Sequence, residues 1–128
     1  MNQVTLFSET DTSGRIIFVN DVFCEVSGFT RNELIGQPHN IVRHPEMPKE
    51  LFRYLWVTIA GGNIFRGVIK NKAKDGSHYW VSAIIMPWMQ GEKKIEKYVS
   101  IRHLITNEHE AQDLFLQQAK LLPSIDKS

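Results

Sequence analysis

The 128-residue chain has a single cysteine, Cys24, so no internal disulfide can form and nothing in it asks for an oxidising compartment. No apolar run approaches the ~18 residues that a spanning helix requires, and the first residues lack the basic-then-apolar pattern of a signal peptide. Charge of one sign is also missing. Fifteen Lys and Arg against fourteen Asp and Glu leave +1, too little to favour nucleic acid or an anionic membrane. There is no internal repeat, no low-complexity stretch, no Gly-rich phosphate loop, no nucleophile elbow and no carboxylate pair at a telling spacing. The five histidines show no metal-type spacing. Together these absences predict a cytoplasmic, soluble, single-domain protein and argue against an enzyme. With 42% hydrophobic residues, one compact core is expected.

What is present is well punctuated. A strand candidate over Val4 to Glu9 is followed by the turn dipeptide Ser13-Gly14 and the apolar run Ile16 to Val19, an antiparallel hairpin. Asn20-Asp21 offers an N-cap to a short helix carrying Val22, Phe23 and Val26, which Gly28 closes. Thr30-x-x-Glu33 is a capping box for a second short helix, Thr30 to Ile35. Gln37 to Met47 has neither helix nor strand period. Pro48 suits a first helical position, and Leu51, Phe52, Leu55, Trp56 and Ile59 recur at helical spacing up to Gly61-Gly62. Strand candidates over Asn63 to Lys72 and Ser77 to Met86 meet around Asp75-Gly76, and a last strand spans roughly Ile95 to Leu104. Hairpins at both ends imply an α+β fold, a five-stranded antiparallel sheet with helices across one face.

A C-terminal amphipathic helix over Asn107 to Leu122 follows, with a start resembling a capping box at Asn107 and Glu110. Its apolar stripe is Ala111, Leu114, Phe115, Leu121 and Leu122. The stripe must be buried, either on the domain itself or against a second copy. The expected division is therefore a domain over 1–106 and a linker or signalling helix over 107–128.

The segment Gly36-Gln37-Pro38-His39-Asn40-Ile41-Val42-Arg43-His44-Pro45-Glu46-Met47-Pro48 resembles the signature of PAS domains from bacterial aerotaxis receptors. Val68 to Asn71 and Asp75 to Val81 carry the same likeness, which runs from about Thr5 to Arg102. The resemblance implies the PAS fold and bound flavin adenine dinucleotide (FAD) between sheet and helices. It also implies a homodimeric chemotaxis receptor whose redox or oxygen signal passes to a downstream signalling domain. The family's flavin-binding Arg-His pair and following acid correspond to Arg43, His44 and Glu46; the family usually has aspartate at the last position.

An isoalloxazine ring needs flat apolar walls and a few aligned polar groups. Trp56 and Trp80 are candidate walls. Strand alternation places Asn71 on one face with Phe65, Gly67 and Ile69, where its amide needs a partner; a ring carbonyl and N–H would serve. Asn40 is a second candidate of that kind, and Gly67 would let a planar ligand approach the backbone. Arg43 supplies a rigid fork of donors. Other readings stay open on these residues: a haem sensor ligated through His39 or His44, or a cofactor-free interaction module in which Trp56, Trp80 and Asn71 are core. Photoadduct chemistry is not expected, because Cys24 lies in the first helix and not in the His39 to His44 loop.

Overall fold

Local signals in the chain are realised almost where they occur. The computed structural model describes residues 3–121. The hairpin strands are β1 (Thr5–Thr10) and β2 (Ile16–Val19). Asn20 caps α1 (Asp21–Ser27): its Oδ1 accepts from Phe23 N–H at 2.9 Å and from Phe7 N–H at 3.1 Å, tying helix to strand. The Thr30–Glu33 capping box is formed in both directions and opens α2 (Arg31–Leu34). One 3₁₀ turn, His39–Val42, is the only regular structure between α2 and α3 (Lys49–Ala60). Pro48 is the N-cap of α3 and not its first helical residue, a shift of one position.

Three long strands follow: β3 (Phe65–Lys72), β4 (His78–Gln90) and β5 (Lys94–Ile105). β4 runs four residues beyond the expected Met86, because it stays paired with β5 up to Gln90↔Lys94. All neighbouring strands are antiparallel, in the order β2-β1-β5-β4-β3, which confirms the expected α+β plan. This order puts the N-terminal hairpin beside the last strand and leaves β2 and β3 as the sheet edges.

Helices α1 to α3 and the 3₁₀ turn cross one face of the sheet. α3 buries Leu51, Leu55 and Ile59 against Phe65, Ile69 and Val81, while α1 and α2 close over Leu6, Ile16, Val19, Phe23 and Leu34. Tyr79 and Leu104 touch both clusters. Burying one such aliphatic or aromatic side chain is worth about 1.5–3 kcal/mol, so the two clusters dominate stability.

The opposite face carries α4 (Glu108–Ala119), capped by Asn107, whose side chain accepts from Glu110 N–H at 2.9 Å. Ala111 is fully buried and the Phe115 ring lies 5.7 Å from that of Trp80. Of the stripe, Ala111 and Phe115 therefore meet the chain's own domain, the first of the two expected arrangements, while Leu114 and Leu121 stay 39% and 72% exposed. Leu122 lies outside the described residues. No helix among the described residues is long and apolar enough to cross a membrane.

Candidate functional site

Between α3, the 3₁₀ turn and the sheet lies a cavity of about 270 Å³. Its apolar walls come from Phe52, Leu55, Trp56 and Ile59 of α3, with Val42 and Ile85. Trp56 packs edge-on to Tyr98, centroids 5.7 Å apart, and lies over Gly14. A Cβ at Gly14 would stand 2.9 Å from the Trp56 ring, and φ is 88° there, so the β1–β2 turn requires glycine on both counts.

The floor is polar. β5 turns Tyr98, Ser100 and Arg102 into the cavity, and β3 adds Asn71. Arg102 is 5% exposed and Asn71 2%, so both depend on protein partners or a ligand. Arg102 Nε donates to Ser100 Oγ at 2.9 Å, and its Nη1 donates to Asn71 Oδ1 at 3.1 Å. Burial lowers the Arg102 guanidinium to about 10, so it is still charged at neutral pH. Neither partner is an anion, and among the described residues no Asp or Glu lines the cavity.

Arg43 is the second guanidinium. Its Cζ sits 3.8 Å above the centre of the Phe52 ring, its backbone bridges to Asn71, and its buried Nε has no hydrogen-bond partner among the described residues. An unpaired buried donor costs about 1–3 kcal/mol. His39 also lines the cavity and shares a 3.0 Å hydrogen bond between its Nε2 and Ser8 Oγ. Burial, reinforced by Arg102 and Arg43, pulls its pKa down to about 3, which keeps the imidazole neutral. The nearby Tyr79 phenol, also buried and without a partner among the described residues, is pushed up to about 12.

Of the residues expected at a ligand, Arg43, Asn40, Asn71 and Trp56 line this cavity. The other four lie elsewhere, for identifiable reasons. Trp80 occupies the even-numbered face of β4, opposite Ile85, and is covered by α4; its Nε1 donates to Glu108 at 2.8 Å. Gly67 has Phe65 in front of it: an added Cβ would meet that ring at 2.7 Å and Gln118 Oε1 at 2.9 Å. His44 accepts from Glu46 N–H at 3.1 Å through Nδ1, and burial with nearby Lys70 lowers its pKa, favouring the neutral ring. Glu46 is exposed and pairs with Lys70 at 2.8 Å. His44 and Glu46 therefore brace the loop that carries Arg43, while only Arg43 reaches inside.

Sequence reading missed Arg102, Ser100 and Tyr98. The signal was present: they recur at period two, with Thr10 paired beside Tyr98 and Ser8 beside Ser100. It was hidden because the alternate residues Val99 and Ile101 look like the core-facing set, whereas they lie on the other face of β5.

A PAS fold family model matches residues 16–102. The chain is 48% identical to an aerotaxis receptor of Escherichia coli, over 84% of this chain and 21% of that protein. It is 27% identical to a nitrogen fixation regulatory protein of Klebsiella pneumoniae, over 77% of this chain and 20% of that one. The chain thus spans about a fifth of the length of these curated relatives. Among solved structures, the dark state of the blue-light photoreceptor Aureochrome1 LOV aligns with a TM-score of 0.80 at 20% identity, covering 89% of this chain and 84% of that one. A light-oxygen-voltage domain studied with a flavin analogue aligns at 0.81 and 22% identity, over 91% and 87%. The chain belongs to the PAS family.

Proposed function

From that membership we propose that the chain is a flavin-binding sensor domain. In this reading it holds FAD in the cavity between α3 and the sheet and reports its redox state to a downstream part of a chemotaxis (aerotaxis) receptor. The observation that carries the reading is the buried Arg102–Asn71 pair. It places a charged donor and an amide side by side on a cavity floor with no carboxylate to neutralise them. The pyrimidine edge of an isoalloxazine is a row of carbonyl oxygens and ring nitrogens, the complement such a floor requires. Arg43 Nε adds an unpartnered donor, and the α3 side supplies the aromatic and aliphatic wall for the ring faces.

At about 270 Å³ the cavity sits just under the ~300–1,000 Å³ range of ligand pockets, so it suits the ring system and not a whole dinucleotide. The exposed lining residues Ser13 and Asn40 mark the mouth through which the phosphates would leave. FAD is favoured over a mononucleotide on the likeness to the aerotaxis receptor. Bound flavin would supply reversible electron transfer. The protein's part is to exclude water through α3, present donors from Arg102 and Arg43, and keep His39 neutral so that no further cation faces the ring.

The haem reading is less well supported. His39 Nε2 is already engaged by Ser8, and His44 points towards Glu46 and His78, not into the cavity. The chain is read as a binding and signalling domain, not a catalyst. A cytoplasmic location, a homodimer joined through terminal segments and a signalling role for residues 107–128 belong to the same proposal.

The test is an absorption spectrum of freshly purified protein, with the released chromophore identified by mass. Two broad flavin bands and the mass of FAD are expected. A sharp haem band, or colourless protein that refuses added FAD, would overturn the assignment.

A further inference from the structure

β3 ends the sheet, so one row of its backbone groups has no strand partner. Open edges are satisfied by water or by a covering element. Here Gln118, in the last turn of α4, meets the row at two points. Val68 N–H donates to Gln118 Oε1 at 2.6 Å, and Gln118 Nε2 donates to the Val68 carbonyl at 3.0 Å. A side-chain amide thereby offers the donor and acceptor that a neighbouring peptide would offer. Gly67 leaves the room: a Cβ there would come within 2.9 Å of Oε1.

The rest of α4 is held modestly. Its first turn is fastened by Glu108, which meets His78 Nε2 at 2.7 Å and accepts from Trp80 Nε1, and its middle by Ala111 and Phe115. Leu114 and Leu116 face outward at 39% and 59% exposure. At the far end, Gln118 supplies the two hydrogen bonds that join the helix to the sheet edge. Three residues further along the same strand, Asn71 turns into the cavity and accepts from Arg102. Arg43 bridges to β3 at Asn71 as well. A ligand that competes for Arg102 or Asn71 acts on the strand whose edge holds the helix.

We propose that Gln118 is a two-point latch fastening α4 to the edge of β3, and that occupancy of the cavity resets it through Asn71. The second half rests on the flavin reading; the first does not.

The experiment is amide hydrogen exchange at Val68 and along α4, in the full chain with and without added FAD. Wild type is compared with Gln118→Ala and Gln118→Glu, and with Gln117→Ala, an exposed position on the same helix, as control. Losing both hydrogen bonds is expected to speed Val68 exchange by about tenfold in Gln118→Ala. Gln118→Glu keeps the acceptor and loses the donor, so it should fall between, and Gln117→Ala should match wild type. FAD should alter Val68 and α4 exchange together in wild type, and α4 should no longer respond in Gln118→Ala. Wild-type rates at Val68 in Gln118→Ala would overturn the latch. Unchanged Val68 and α4 rates in a sample whose spectrum shows bound flavin would overturn the coupling alone. A sample that binds no FAD would overturn the flavin reading and the coupling with it, while the ligand-free variants still decide the latch.

Discussion

The two faces of the sheet use similar residues to opposite effect. On the α4 face, polar groups are paired within the protein: Trp80 Nε1 with Glu108, Glu108 with His78 and Gln112, and Gln118 with Val68. On the cavity face, Arg102 sits among neutral partners, and Arg43 Nε and Tyr79 Oη have no partner among the described residues. Burial is nearly the same for Trp80 and Arg102, at 5% exposure each. Satisfaction of the polar groups, not burial, separates the two faces.

The largest effect that would test this contrast is on the α4 face. Trp80→Ala should cost about 3–5 kcal/mol in chemical denaturation and leave FAD affinity of the folded protein nearly unchanged. A large loss of affinity at full folding would break the comparison. Arg102→Met should do the reverse, weakening FAD binding by about 10–100-fold in a reconstitution titration, since hydrogen bonds to charged groups are worth about 1.5–3 kcal/mol. Ligand-free Arg102→Met should be far less destabilised than Trp80→Ala, because a buried charge without an anionic partner is removed.

His39 sharpens the contrast through pH. Its native pKa is held at about 3 against an ordinary value of 6.5, so the unfolded chain binds the extra proton first. The stability from keeping it neutral is complete above pH 6.5 and is lost as pH falls towards 3, at a slope approaching about 1.4 kcal/mol per unit. Unfolding of His39→Gln, compared with wild type between pH 6.5 and 5, should lose most of this slope. His44, whose pKa is also lowered, contributes in the same direction. The smallest effect is Gly14→Ala, expected to cost about 1 kcal/mol through its positive φ and to press on Trp56 at the cavity. Unchanged stability there would show that the turn relaxes.

The fold was legible because its boundaries rest on local chemistry. Asn20, the Thr30–Glu33 box and the hairpin turns act within a few residues, and the structure uses each as the sequence suggests. The site was legible only in part. Arg43, Asn40, Asn71 and Trp56 declared themselves by an irregular loop or by a polar or aromatic side chain on an apolar stripe. Trp80 misled because alternation gives two faces and not which one α4 will cover. Arg102 was missed because its strand inverts the usual pattern, turning Ser100 and Arg102 to the cavity face and Val99 and Ile101 to the opposite face. Gly67 looked like room for a ligand, whereas the space belongs to Phe65 and Gln118. Each of these depends on what packs from a distant part of the chain, which no local pattern carries.

The central claim is that the buried guanidinium donors of the cavity face bind a flavin. It is tested most directly by titrating ligand-free wild type and Arg102→Met with FAD, following absorbance and thermal unfolding together. The account predicts flavin uptake and stabilisation of wild type by about 2.7 kcal/mol at a hundredfold excess over Kd, with the variant needing far more FAD for the same shift. Equal affinity in the two proteins, or no uptake by wild type, would contradict it.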